Sequence, residues 1–261
     1  MNTNIYRASH PEVIERPEVG VHTNSRKIYE LRGLSDGLNY GVHNNTYVNL
    51  RRGIMERVFY VESTDGLRPP LYPKFGAFKK LNREKRMLTR ILGNHSPVSL
   101  AVARDMYKGR KLKVYSQAHD SLVEEGFQPR FAKIKNFIKA EKLNFSAKPD
   151  PAPRIISPRD PRYNLCLARY LKPFEHHLYR AIDKMCGGPT VMKGYTVDEV
   201  GCHFRDAWNE FPDPVGVGFD MKRFDQHVSE QALRFEHSVY KTVFNNDPDL
   251  QSLLELQIEN R

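Results

Sequence analysis

A chain of 261 residues can bury a real core, as one large domain or two small ones. Its apolar runs are too short for a membrane-spanning helix or a signal-peptide core, so neither is expected in this sequence. The formal charge of +10 is concentrated: Lys74–Arg154 holds 19 Lys/Arg against 7 Asp/Glu, while the rest of the chain holds 22 against 24. Such segregation predicts a polyanionic partner, with a merely solvated basic surface as the alternative. Cys166, Cys186 and Cys202 fit neither zinc-knuckle nor disulfide spacing, which predicts buried structural thiols in a reducing compartment.

In chain order, Met1 to about Leu38 reads mostly as loop. From Val42 to Glu62, Leu50, Ile54, Val58 and Val61 sit at helical spacing, with Arg51, Arg52 and Arg57 elsewhere on the wheel. A proline-rich linker, Thr64–Pro73, follows. Phe75–Leu92 reads as a basic helix stopped by Gly93-Asn94, and Ser96-Pro97 as the start of another running towards Tyr107. Lys108, Arg110, Lys111 and Lys113 then interleave with Tyr107 and Tyr115. That mixture suits phosphates and bases of a nucleic-acid strand, and equally any amphipathic surface.

Two strand-like pieces, Ala132–Ile138 and Arg154–Ser157, flank a loop stiffened by Pro149, Pro151 and Pro153. Lys139, Lys142, Lys148 and Arg154 ride on this hairpin. Its preorganised cations suit a triphosphate; a decorated surface hairpin is the competing reading. Asn164 is expected to cap a helix with apolar positions Leu165, Ala168, Leu171, Leu178, Ile182 and Met185, kinked at Pro173 and ended by Gly187-Gly188. His176 and His177 read as surface histidines. Thr196 and Glu199 form a capping box for a helix to about Trp208, and Asp247-Pro248 opens the last helix.

Between these lies Val215–Tyr240. Val215–Phe219 is a short apolar run that ends in Asp220; Asp225 follows, and Ser229 opens a helix through Ala232, Phe235, Val239 and Val243. Strand, sharp turn and helix are expected, with Asp220 at the carboxyl end of the strand. A carboxylate fixed there suits a hard cation such as Mg²⁺. Two aspartates that end a strand and solvate a turn are the plainer reading.

The segments KAEKLNFSAKPDPAPRIISPRDPRYN, GGPTVMKGYTVDEVG and GFDMKRFDQHVS, in that order, resemble the RNA-dependent RNA polymerases of tombusvirus-like plant viruses (carmovirus- and umbravirus-related), from about Val42 to the end. The resemblance implies an α/β (α+β) right-hand polymerase fold. Residues 1–41 stay unplaced, 42–214 become a fingers-type region with its basic segment 74–154, and 215–261 begin the palm. Asp220 matches the first metal-binding aspartate of the palm, and Asp225 the acid that recognises the ribose 2′-hydroxyl. Lys139, Lys142, Lys148 and Arg154 fall on the NTP entry path, with Arg154 the best match to a triphosphate-contacting arginine.

Implied with the family are template-directed nucleotidyl transfer from NTPs, Mg²⁺ with Mn²⁺ as the substitute ion, and RNA template and product. A viral accessory protein is also implied, as is a place in the host cytoplasm at membrane-associated replication complexes reached through a partner. The family's Ser-Gly/Asn and Gly-Asp-Asp motifs do not occur, so an amino-terminal portion truncated before them, inactive alone, is expected. A non-catalytic RNA-binding replication accessory is the alternative function. A carboxylate-metal phosphohydrolase is a weaker third, because no nucleophile or His cluster accompanies the acids.

Overall fold

The computed structural model describes residues 25–29, 37–64 and 66–259. Most of the loop expected over Met1–Leu38 lies outside the described residues. The chain forms two compact units: Met1–Tyr72, Ile134–Pro158 and Arg223–Val228 make the first, and Pro73–Lys133, Arg159–Lys222 and Ser229–Arg261 the second.

In the first unit the strands are short: β1 (Tyr40–Gly41), β2 (Val61–Ser63), β3 (Gly66–Arg68), β4 (Phe137–Ile138), β5 (Leu143–Asn144) and β6 (Ile155–Ile156). They pair antiparallel as β1 with β5, β2 with β3 and β4 with β6, placing Phe137 opposite Ile156 and Ile138 opposite Ile155. The expected hairpin therefore forms, but its first strand is narrower than Ala132–Ile138. Ala132 closes a 3₁₀ turn in the second unit.

Helix α1 (Tyr47–Ile54) starts where the Thr46 hydroxyl accepts from the Asn49 amide at 3.2 Å. It widens into a π-helical turn over Met55–Phe59. The helix expected to Glu62 stops there because Val61 joins β2. Gly53 is needed in α1: a Cβ there would meet the Pro153 carbonyl oxygen at 2.8 Å and the Ile155 side chain. Arg52 completes the join. Its guanidinium, only 6% exposed, donates to Glu56 Oε1 at 2.7 Å and to both Asp150 oxygens at 2.6 and 2.9 Å. A paired, bidentate geometry of this kind is what allows a charge to be buried at all.

The second unit is helical: α2 (Asn82–Leu92), α3 (Leu100–Asp105), α4 (Gly109–Glu125), α5 (Pro161–Cys186), α6 (Val197–Asn209), α7 (Glu230–Val243) and α8 (Pro248–Ile258). Helix α5 is its spine and packs on α2, α3, α4 and α8. Its buried face reads Tyr163, Cys166, Tyr170, Phe174 and Ala181, joined by Leu165 and Ala168. That stripe lies beside the one the aliphatic residues predict, because the two tyrosines find partners for their hydroxyls. Tyr163 donates to the Leu253 carbonyl at 2.7 Å and Tyr170 to Asp247 Oδ1 at 2.9 Å. A buried ring then contributes its area without a stranded polar group.

Several boundaries differ from expectation for local reasons. Asp160 caps α5, accepting from the Arg162 amide at 2.9 Å with Pro161 in the first turn; Asn164 lies inside the helix. Ser99 caps α3, not Ser96. Helix α4, whose basic start read only as a charge cluster, was not anticipated. Cys166 is buried as expected, whereas Cys186 and Cys202 are exposed, which corrects the reading of three buried thiols.

Candidate nucleotide and metal site

The first unit gathers a cationic surface around the β4–β6 hairpin. The Lys139 amide donates to the Arg154 carbonyl at 2.8 Å, which fixes these two residues opposite each other. Both side chains share one carboxylate: Lys139 Nζ lies 3.0 Å, and Arg154 Nη1 3.1 Å, from Glu141 Oε2. Burial pushes the Glu141 carboxyl up, but the bonds from Lys139 and Arg154 outweigh it and hold the group below the usual carboxylate range. Exposed pairs of this kind are weak, so a phosphate can take them over at little cost. Lys142 stands over the Tyr40 ring at 4.3 Å, and Lys148 is exposed on the loop.

Two further arginines join this group. Arg57 donates from Nε to the Ala152 carbonyl at 3.2 Å. Burial, then Arg223, then Arg154 depress its guanidinium below the ordinary value, with Glu141 and Asp225 opposing. Three like charges close enough to disfavour one another are a standing attraction for a polyanion. Arg223 adopts a left-handed backbone at φ 55°, a conformation that costs an ordinary residue about 1–2 kcal/mol. Its guanidinium is anchored on the Glu56 carbonyl at 2.7 Å. Asp225 follows in a 3₁₀ turn over Phe224–His227, is exposed, and bears electrostatically on Arg57. The structure thus brings Asp225, Lys139 and Arg154 into one unit together with Arg57, Arg223 and Glu141.

Asp220 belongs to the second unit and is exposed. The strand expected over Val215–Phe219 is not formed. That run has no regular secondary structure and no ladder partner among the described residues. Its alternating side chains, Val215, Val217, Phe219 and Met221, all face solvent, with Phe219 85% exposed. The residue pattern has the right period, but a strand also needs a neighbour to take its hydrogen bonds and a surface to cover its apolar face. Asp220 therefore stands at the end of an irregular run, not of a sheet strand. Among the described residues no group of three His, Cys, Asp or Glu side chains is placed to hold a metal ion. A single exposed carboxylate is one ligand; Mg²⁺ asks for further oxygens, commonly those of a substrate phosphate.

Sequence reasoning missed Arg57, Arg223 and Glu141. Arg223 lay within the segment that carried the resemblance, but nothing in the sequence gave its left-handed backbone. Arg57 had been set on the outer face of a helix, and its role depends on a contact made 95 residues away.

A hairpin whose Lys139 and Arg154 share Glu141 stands in one unit with Arg57, Arg223 and the exposed Asp225. The family model described as viral RNA dependent RNA polymerase matches residues 13–261, and the chain belongs to that family. The match begins well upstream of Val42, so it includes much of the stretch left unplaced. The chain is 53% identical to the RNA-directed RNA polymerase of turnip crinkle virus over 237 residues, 90% of this chain and 30% of that protein. To that of carnation mottle virus it is 48% identical over 260 residues, 100% of this chain and 34% of the relative. To that of tobacco necrosis virus strain A it is 45% identical over 259 residues, 99% and 36%. The chain spans about a third of the length of these relatives.

Proposed function

We propose that this chain supplies the fingers and the first palm element of a right-hand polymerase that copies RNA from NTPs in viral replication. The observation that carries the reading is the grouping of Arg57, Arg154 and Arg223 in one unit with Asp225, Arg154 on the proline-stiffened hairpin and Arg57 bonded to its Ala152 carbonyl. In the reaction a 3′-hydroxyl attacks the α-phosphate of the NTP, a new P–O bond forms, and the bond to pyrophosphate breaks. Arg57, Arg154 and Arg223 neutralise the triphosphate, with Lys139, Lys142 and Lys148 along the approach, and so favour the charge that develops on the leaving group. Asp225 accepts a hydrogen bond from the ribose 2′-hydroxyl. A deoxyribose lacks that donor and leaves the carboxylate unpaired, which is a strong basis for rejection. Asp220 would supply one oxygen ligand to Mg²⁺, or to Mn²⁺ in its place, and the bound ion would supply Lewis-acid stabilisation for the transfer.

Template and product RNA and the NTPs are the partners this implies, together with a viral accessory protein. No helix of the described residues is long and apolar enough to cross a membrane. Attachment to host membranes in the cytoplasm through a partner belongs to the same proposal. The test is binding of a fluorescent ATP analogue to the chain with and without Mg²⁺. Arg57→Ala and Arg154→Ala should each weaken binding about tenfold, the worth of one charge-assisted contact. Unchanged affinity in both would remove the triphosphate from this surface and favour the non-catalytic RNA-binding accessory.

A further inference from the structure

The second unit contains a pocket of about 510 Å³ that the nucleotide site does not use. That volume lies within the roughly 300–1,000 Å³ of small-molecule sites. Its floor is the face of α5 bearing Leu167, Leu171 and Leu178, and its walls include the rings of Tyr107, Tyr179 and Tyr240. Tyr107 is braced from behind: its ring stacks on Tyr115 with centroids 4.0 Å apart and planes 24° from parallel. Lys172 Nζ, also on the pocket wall, lies 4.7 Å from the Tyr107 centroid. Besides Lys172 and the tyrosine hydroxyls, the polar groups at the pocket are the Asn164 amide, whose Nδ2 donates to the Arg159 carbonyl at 3.2 Å, and the Glu175 carboxylate, which accepts from the Tyr179 hydroxyl and Lys193. Immediately after Tyr107, the exposed Lys108, Arg110, Lys111 and Lys113 begin α4, whose first turn has no acidic residue.

We propose that this pocket takes a nucleobase of single-stranded RNA, a contact point separate from nucleotidyl transfer. The proposal rests on the RNA-binding part of the function above and not on its catalytic part. A base is flat and apolar on its faces and polar at its edge. It fits between tyrosine rings, with Asn164 and Glu175 to meet its donors and acceptors. The strand's phosphates are left for the cations at the start of α4, where the helix dipole adds to their charge. Lys172 lies where it can leave the ring for a phosphate as the base arrives. A purely apolar ligand would use the leucine floor but gain nothing from these cations, so the charge around the mouth favours the nucleic acid.

The experiment compares a fluorescent oligocytidylate with the same oligomer carrying abasic sites, bound to the 261-residue chain at fixed salt. The intact oligomer should bind about tenfold more tightly, the scale of one base stacked on an aromatic ring. Tyr107→Leu and Lys172→Gln should erase that difference while leaving the abasic affinity within about twofold. Free cytidine monophosphate is the competing source of the same base: if it displaces the oligomer from the Tyr107→Leu chain as well as it does from the wild-type chain, the base site lies elsewhere and the proposal fails. Equal affinity of the wild-type chain for both oligomers would likewise overturn it, leaving backbone attraction alone. Asp220→Ala is carried in parallel. It should lose Mg²⁺-dependent NTP binding with base discrimination intact, so that failure of the metal reading and failure of the pocket give different results.

Discussion

The salt-bridged join in the first unit makes a sharp energetic prediction. Arg52→Met removes the guanidinium but nearly conserves its apolar volume, so packing changes little and charge changes greatly. Glu56, 7% exposed, then loses its 2.7 Å guanidinium contact, and Asp150 loses a bidentate one. Removing one member of a buried ion pair costs about 3–5 kcal/mol. The Asp150 side chain is 26% exposed and can recover water, which places the expected loss near the lower end, about 3 kcal/mol. Because Arg52 ties α1 to the loop at Asp150, the loss should appear as easier opening of the β4–β6 hairpin. Hydrogen exchange of the Lys139 amide, bonded to Arg154, reports that opening as a function of urea. Adding Glu56→Gln to Arg52→Met removes the carboxylate that faced the guanidinium and should restore more than 1 kcal/mol of the loss. A single mutant that loses less than about 1 kcal/mol, or a double mutant no better than the single, would show that the cluster is not what secures the hairpin.

Gly53→Ala should destabilise the same unit by about 1–3 kcal/mol despite alanine's better helix propensity, because the 2.8 Å approach to the Pro153 carbonyl is a backbone contact; urea unfolding measures it. His237 is 3% exposed and bonded to Gln257 Oε1 at 2.9 Å, and burial holds its imidazole below the ordinary 6.5. The unfolded chain therefore binds the proton first, so the second unit should lose stability as pH falls below about 6.5, down to the depressed folded value; a His237→Gln chain with an equally steep acid slope in thermal unfolding would contradict this. RNA affinity should fall steeply with salt through the 19 cations of Lys74–Arg154, and a flat log–log plot would return them to surface duty. In a polymerase of full family length, Asp220→Ala should slow primer extension at least a thousandfold, about 4 kcal/mol, and a loss under tenfold would take Asp220 out of the metal shell.

What could be read from the sequence was what the chain encodes locally. Ser229, Thr196 with Glu199, and Asp247 cap the helices they were expected to cap, because each cap is satisfied within three residues of itself. Gly187 ends α5 in a left-handed conformation for the same reason. The failures share the opposite character. Val215–Phe219 has a strand's period, but a period is a property of one segment and a strand is a property of two. The core face of α5 was set by hydroxyl partners on the Leu253 carbonyl and Asp247, up to 90 residues off, which moved it towards Tyr163 and Tyr170.

The candidate site divides along the same line. Arg154 and Lys139 were legible because the hairpin that opposes them is a short-range unit with its prolines visible. Arg57 and Arg223 entered only through carbonyls at Ala152 and Glu56, the second 167 residues from its donor. These two arginines are also what favours the proposed phosphate site over a decorated hairpin. Lys139 and Arg154 alone are balanced by Glu141 and half-exposed, and a surface can carry such a trio without purpose. Arg57 is half-buried against Arg223 and Arg154, a like-charge crowding that a bound anion would relieve, and Arg223 holds a left-handed backbone beside it. If Arg57→Met raised the stability of the unliganded chain while weakening ATP-analogue binding, that trade would be the signature of a site built for charge and not for folding. A stability loss with binding intact would assign Arg57 to the Ala152 carbonyl and to nothing else.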